Sequence, residues 1–280
     1  MQKIWVTKAS GEKQLFQLRK IERTCRRSGA GSQLTKQVLS TVKKNLYPGI
    51  STREILEIVL EHLGKRKSDV ASRYGLKQSI MKLGPAGFVF EKLVAKILEE
   101  YGWTTQCPPL LQGECVKHEI DIIARKQQRK IMIECKYRNQ PGIYIGLQIA
   151  MYTWARYLDL RAGYRLKKCP QFNEAFLITN TKFSKEAIQY ANCKKMKLMG
   201  WNYPADNNLK NLLEAKKLYP VTVLRTISKS DLKKLSQAEL IFCRDLLGKD
   251  INQLVSLTSL TRQKIRKIQT EAHDIVNFAK

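Results

Sequence analysis

The sequence predicts an α/β protein in three parts: a mainly helical N-terminal segment, a central mixed-sheet domain and a helical C-terminal segment. Three observations lead there. The stretch HEIDIIARKQQRKIMIECKY, His118 to Tyr137, alternates apolar and polar residues on both sides of a basic turn, as a β-hairpin does. Around it, strand-like and helix-like patterns alternate, the signature of an α/β domain. Toward both ends of the chain the apolar residues recur instead every three to four positions, as on amphipathic helices. The boundaries fall at residues 1–83, 84–204 and 205–280.

The first segment opens with two short strands around Ser10-Gly11 (IWVTKASGEKQLF). Helical spacing follows over Leu18–Arg27, Leu34–Leu46, Thr52–Leu63 and Val70–Leu83. Ser51-Thr52-Arg53-Glu54 is a capping-box pattern that starts the third of these. Gly84-Pro85 ends the segment. The second begins with a helix from Ala86 to Tyr101, then the hairpin, then a helix over about 146–158. A strand at Glu174–Asn180, a helix at Ser184–Cys193 and a short strand within 197–203 complete it. In the third, SLTRQKIRKIQTEA is an amphipathic helix with Thr261 as its cap.

Charge narrows the function classes. Lys and Arg number 51 against 24 Asp and Glu, a formal net charge of +27 spread along the whole chain. A field of that sign favours a polyanionic partner such as DNA. No run of eighteen apolar residues is present, so no membrane span is expected. No long apolar run follows the basic N-terminus, so no signal peptide is expected either. Seven widely spaced cysteines without a CxxC fit a reduced, cytoplasmic setting better than a disulfide scaffold or a zinc site. No P-loop, GxSxG, HExxH or Cys/His cluster occurs, so ATP hydrolysis is not indicated. His62, after an acidic helix, reads as a surface residue. His273 has no metal partner, and His118 stands at the hairpin's start, structural or in reach of a phosphate.

The hairpin carries the chemistry. With its turn at Gln127-Gln128, Asp121 stands opposite Glu134 and Glu119 opposite Lys136. One face then carries Ile120, Ile122, Ala124, Ile131, Ile133 and Cys135, all apolar. The other gathers Glu119, Asp121, Ile123, Met132, Glu134 and Lys136. Two facing carboxylates repel unless a cation lies between them. Mg²⁺ takes carboxylate and carbonyl oxygens, so Asp121, Glu134 and the carbonyl of Cys135 form a candidate set of ligands. Lys136, two residues on, would orient the attacking water. The plainer alternative is a salt-bridge ladder from Glu119 to Lys136 with Asp121 solvated. Glu91 adds weight: its helical neighbours Phe88, Val94, Ala95 and Leu98 set it in an apolar stripe, where an unpaired carboxylate is costly. It reads as a site residue or as the partner of a cation at the core's edge. Gln148 and Tyr152, one turn apart, can face one partner.

Asp121, then Glu134-Cys135-Lys136 on the next strand, after a helix bearing Glu91, resembles the PD-(D/E)XK nuclease superfamily, in its restriction-endonuclease branch similar to Mrr. The resemblance implies a restriction-endonuclease-like mixed-sheet core. It implies a Mg²⁺-dependent DNA endonuclease with catalytic Asp121, Glu134, Lys136, Glu91 and Gln148, and room for two metal ions. Gln148 and Tyr152 match that superfamily's QxxxY pattern, whereas Ile120 stands in place of its usual proline. The first segment resembles the ATP-cone through Val6, Lys8 and Gly11, Lys20-Ile21, and Gly49 with Thr52. That resemblance implies ATP or dATP as a regulatory ligand held by Val6, Thr7, Lys8, Lys20, Ile21 and Thr52. Ala9 and Gln14 depart from the cone's usual Arg and acid. The final helices weakly resemble a helix-hairpin-helix without its GxG; residues 205–280 read as a basic helical accessory domain that extends the DNA surface, or equally as a partner-docking bundle. Together these features imply a nuclease of restriction, defence or DNA processing, working as a homodimer. The alternatives are a non-cleaving, nucleotide-sensing DNA-binding regulator and a structure-specific repair nuclease or resolvase.

Overall fold

The computed structural model describes residues 3–83 and 87–277. The expected boundary at Gly84-Pro85 and the helix start at Ala86 therefore lie outside the described residues, as does the side chain of Phe88. The chain is mixed α/β and divides into two compact units. One combines residues 1–82 with 217–280; the other is 83–216. The C-terminal segment, read from the sequence as a separate part starting at 205, instead joins the N-terminal segment from Lys217 onward.

The N-terminal part of the first unit follows the sequence pattern closely. Strands β1 (Trp5–Thr7) and β2 (Lys13–Leu15) pair antiparallel. Helices α1 (Leu18–Arg27), α2 (Ser32–Lys44) and α3 (Thr52–Gly64) follow. Ser51 caps α3, its hydroxyl accepting from the Glu54 N–H at 3.0 Å. The helix expected over Val70–Leu83 is two: α4 (Ser68–Tyr74) and α5 (Leu76–Ile80), parted at Gly75. Val6, Ile21, Cys25, Val38, Val42, Ile55, Val59 and Leu63 form the core, each large aliphatic contributing about 1.5–3 kcal/mol on burial. His62 is only partly exposed, its Nδ1 3.1 Å from the Thr41 hydroxyl, not the open surface residue expected.

The second unit is built on a five-stranded sheet. Helix α6 (Gly87–Glu100) precedes β3 (Thr104–Gln106), β4 (Leu110–Gln112), β5 (Lys117–Glu119), β6 (Ile122–Lys126) and β7 (Arg129–Lys136). Then come β8 (Tyr144–Ile145), α7 (Leu147–Arg165), β9 (Glu174–Thr179), β10 (Lys182–Phe183), α8 (Lys185–Lys194), β11 (Lys197–Met199) and α9 (Leu209–Ala215). The main sheet runs β11-β9-β7-β6-β3; β6 is antiparallel to both β3 and β7, while β7, β9 and β11 are parallel. The hairpin register is as expected: Ile122 pairs with Ile133 and Ala124 with Ile131, around a turn at Gln127-Gln128. Its first arm, however, is broken. Residues 117–119 leave the hairpin to pair with β4, Glu119 lying opposite Leu110. The ladder from Glu119 to Lys136 does not form, because Lys136 bonds Glu134 instead.

Both faces of this sheet are covered, as expected when parallel strands and crossover helices meet. Ile123, Met132, Ala175 and Leu177 pack with Ala150, Tyr157 and Leu160 of α7 and Ala187 and Ala191 of α8. Ile122, Ala124, Ile131 and Ile133, on the alternate face, are also buried, and α6 packs on β6 and β7. The face read as charged is thus apolar along its middle; its charges gather only at one end.

The C-terminal part of the first unit is helical: α10 (Lys229–Gln237), α11 (Cys243–Leu247), α12 (Ile251–Thr258) and α13 (Arg262–Val276). Ser228 and Asp231 close a reciprocal capping box on α10, as do Asp250 and Gln253 on α12. Thr261 caps α13 as its sequence predicts, accepting from the Lys264 N–H at 3.2 Å. Buried Arg73 of α4 ties this unit together. It bonds Asp69 at 2.7 Å and donates to the carbonyls of Ser28, Asp274 and Ile275.

Candidate functional site

The ends of β6 and β7 bring the acids together. Asp121 immediately precedes β6, where the register continues opposite Glu134. Its Oδ2 accepts the Cys135 N–H at 2.7 Å, so the carboxylate is fixed to the neighbouring strand. Glu134 is 2% exposed and lies between two cations. Lys136 Nζ is 2.5 Å from its Oε1, and Arg156 bonds its Oε2. Arg156 reaches in from α7, donates also to the Glu119 carbonyl, and sits 5.5 Å from the centre of the Tyr152 ring. Its Nε is buried with no hydrogen-bond partner among the described residues.

These charges disturb one another. Burial raises the Asp121 carboxyl, and the charge of Glu134 raises it further; the Cys135 N–H, Lys136 and Arg156 oppose the rise. Glu91 on α6 is pushed up to about 7, first by burial and then by Asp121 and Glu134, with Lys136 pulling the other way. Burial also drives the Cys135 thiol well up, which leaves its backbone as the part available for polar contact.

The structure therefore unites Glu91, Asp121, Glu134 and Lys136 in one electrostatic cluster. Gln148 and Tyr152 are exposed on α7; Tyr152 meets the cluster through Arg156, while Gln148 makes no hydrogen bond to these acids. Arg156 is the residue that sequence reading missed. Its signal was present: Gln148, Tyr152 and Arg156 recur every fourth position, and Arg156 continues that row into the apolar run around Tyr157 and Leu160.

Glu91, Asp121 and Glu134 are oxygen donors of the type a hard divalent cation takes, set against the two cations Lys136 and Arg156. Burial first, and then the neighbouring carboxylates, raise Glu91 and Asp121. Among the described residues, the group of potential ligands drawn within 4.8 Å of one another lies elsewhere, at Glu114, Cys115 and Asp159. Asp159 is already engaged there. It accepts from the N–H groups of Cys115 (2.9 Å) and Val116 (3.5 Å), and His118 Nε2 lies 2.7 Å away. Burial raises this carboxyl, but those hydrogen bonds outweigh it and hold it at about 2. The fit is close: a Cβ on Gly163 would lie 2.7 Å from the Gly113 backbone. This cluster latches the segment around 113–118 onto α7, and it explains His118.

In the first unit, β1 ends beside the start of α3. The Thr7 N–H donates to the Ile50 carbonyl at 3.0 Å and its hydroxyl to Gly49 at 3.1 Å, and Thr7 bridges Ser51. Thr52 opens α3, whose first N–H groups can receive a phosphate. Lys8 pairs with Glu12 at 2.9 Å, and Lys20 is exposed on α1. Val6 and Ile21 are sealed in the core and would meet a nucleotide through their backbone only.

Comparison with known proteins bears on the nucleotide-binding segment and on the family of the chain. Residues 4–80 match the ATP cone domain, expected from the sequence over 1–83, and support nucleotide binding by this segment. Residues 219–276 match the domain described as AF1548-like, C-terminal. An uncharacterized protein of Archaeoglobus fulgidus is 42% identical over 183 residues, 65% of this chain and 99% of its own length. A crystal structure titled as protein of unknown function AF1548 superposes with a TM-score of 0.60 at 40% identity, covering 68% of this chain and 98% of that one. Among the described residues, no helix is long and apolar enough to cross a membrane. The chain thus belongs to the family of these AF1548-like proteins, with an ATP cone at its N-terminus.

Proposed function

We propose that the cluster of Glu91, Asp121, Glu134 and Lys136 is the active site of a Mg²⁺-dependent DNA endonuclease, gated by ATP or dATP at the cone. The observation that carries this reading is Asp121, just before β6 and bonded to the Cys135 N–H, beside Glu134–Cys135–Lys136 on β7, electrostatically coupled to Glu91. Asp121, Glu134 and the Cys135 carbonyl would hold the metal. When bound, Mg²⁺ supplies Lewis acidity toward the phosphodiester oxygens.

The remaining steps belong to the chain's own residues. The Cys135 N–H fixes the Asp121 carboxylate, and Glu134 holds Lys136 Nζ at 2.5 Å. Lys136 Nζ donates a hydrogen bond to the attacking water and offsets negative charge developing at phosphorus. Glu91, electrostatically coupled to Asp121 and Glu134, is the carboxylate that would accept the proton the water releases. Tyr152 and Gln148 offer the exposed edge along which a strand would lie. The basic surface draws the polyanion in, and cutting both strands would call for two copies of the chain.

A second reading is a nucleotide-sensing DNA-binding regulator that does not cleave. It is favoured by Arg156, which already occupies the second oxygen of Glu134. The separating experiment incubates supercoiled and linear DNA with the protein and Mg²⁺, with and without ATP, for wild type and Lys136→Ala. Cleavage by the wild type that the variant loses is expected. Binding without cleavage across divalent metals and nucleotides would favour the regulator.

A further inference from the structure

The two last helices lie outside both the proposed cluster of Glu91, Asp121, Glu134 and Lys136 and the ATP cone. The connection between α12 and α13 is Ser259, Leu260 and Thr261. Ser259 takes the left-handed conformation, φ 53°, turning the chain at once; its N–H returns to the Val255 carbonyl at 2.8 Å. Leu260 is driven inward, its N–H accepted by the Thr258 hydroxyl at 3.3 Å. Thr261 then caps α13. Leu254, Thr258 and Leu260 on one side, and Ile265 and Ile268 on the other, are all buried. Two helices joined by a three-residue turn and locked by an apolar wedge have the turn length of a helix-turn-helix. A helix-hairpin-helix instead grips phosphate through a Gly-rich hairpin, and this turn contains no glycine.

The second helix has two contrasting faces. Ile265, Ile268, Ala272 and Ile275 form its buried stripe, and α13 packs on α11, α12 and α4. Opposite stand Arg262, Gln263, Arg266, Lys267 and Thr270, all exposed or partly so. No acidic residue occurs in α13 before Glu271, and that carboxylate is taken by the N–H groups of Arg225 and Thr226. Lys264, the one inward cation of these turns, is held by Asp231 at 2.9 Å. The outward face is therefore cationic at the N-terminal end of the helix, where a recognition helix meets base edges. Its side chains are of the kinds that read bases: Arg contacts guanine and Gln contacts adenine with two hydrogen bonds each.

We infer that α12, its turn and α13 form a helix-turn-helix that reads double-stranded DNA through its major groove with Arg262, Gln263 and Arg266. The B-form major groove admits a helix, whereas that of duplex RNA is too deep and narrow, so DNA is the partner. The inference goes beyond the proposed nuclease and is independent of it, because it concerns binding without a metal.

The test uses the full chain in chelator, so that no cleavage contributes. Duplexes are selected from a random pool, and affinity for the selected and a scrambled duplex is measured at fixed salt. Wild type is expected to enrich a defined sequence. Arg266→Ala and Gln263→Ala should each weaken the selected duplex by about 5- to 150-fold and leave the scrambled one far less affected. Arg266→Lys should keep the scrambled affinity and reduce the preference, since an ammonium lacks the planar fork that matches guanine's two acceptors. Both positions are exposed, and an unchanged melting temperature verifies folding. Gln263→Ala also leaves the charge untouched. Failure to enrich any sequence, equal losses on both duplexes, or equal affinity for duplex RNA would overturn the inference.

Discussion

Charge is used in opposite ways at two places in this molecule. At the end of β6 and β7, Glu134 is sealed between Lys136 and Arg156, and each of its oxygens has a defined cation. On the outer face of α13, Arg262, Arg266 and Lys267 stand toward solvent, and no acid precedes Glu271 on that helix. Buried charges fix geometry and shift one another's ionisation; exposed ones attract a polyanion and cost the fold little. The contrast makes a direct prediction about stability. Arg156→Ala leaves one oxygen of a buried carboxylate without its cation, with Lys136 still on the other, and is expected to cost about 1–3 kcal/mol in urea unfolding. Arg262→Ala is expected to stay within about 0.5 kcal/mol. Equal costs would break the comparison.

Asp159 lies between these extremes: an ion partly open to solvent, yet held by two backbone N–H groups and His118. Asp159→Ala gives those donors to water, for an expected loss of about 0.5–1.5 kcal/mol and earlier proteolysis within 113–118. Its folded pKa of about 2 lies below the unfolded value of about 3.9. Its contribution is thus complete above the unfolded value and lost as pH falls toward 2. Melting temperature followed from pH 5 downward should fall more steeply for wild type than for Asp159→Ala.

Glu91 has the opposite sign. Its folded pKa of about 7 lies above the unfolded value near 4.3. Between those values the folded state holds a proton that the unfolded state has released, so stability falls as pH rises through the interval. In chelator, acidification from pH 7 to 5 should therefore raise the melting temperature of wild type more than that of Glu91→Gln. Excess Mg²⁺ should shrink the difference, because a cation among these acids lowers the Glu91 pKa. A difference indifferent to Mg²⁺ would count against the metal site.

The sequence made much of this legible, for identifiable reasons. Alternation over Ile122–Lys126 and Arg129–Lys136 specified the register, since a one-residue slip would have buried charge. Glu91 was legible because an acid in an apolar stripe demands a partner. The break at Asp121 was not: residues 117–119 keep the alternating pattern while pairing with a different strand, and alternation does not name its partner. The inward aim of Arg156 was hidden for a similar reason, although its spacing from Gln148 and Tyr152 was visible. A cation on a helix reads as solvated unless the tertiary position of that helix is known, and only the packing of α7 on the sheet turns this one inward. The joining of residues 217–280 to the first unit rests on long-range contacts such as Arg73 with the end of α13, which no local pattern encodes.

The smallest expected effect sharpens the other half of the comparison. Ser259 holds a left-handed conformation that costs a non-glycine residue about 1–2 kcal/mol. Glycine adopts it freely but loses more backbone entropy on folding, so Ser259→Gly should stabilise the chain by no more than about 1 kcal/mol. Ser259→Val, with a branched side chain in the same conformation, should destabilise it by a similar or larger amount. Neither substitution touches Arg262, Gln263 or Arg266, so duplex affinity should follow the integrity of the turn: unchanged in Ser259→Gly, reduced in Ser259→Val. If the valine variant bound DNA as tightly as wild type despite a lowered melting temperature, the cations of α13 would be acting as a diffuse attractive surface. The sharp turn would then serve only to end one helix and begin the next.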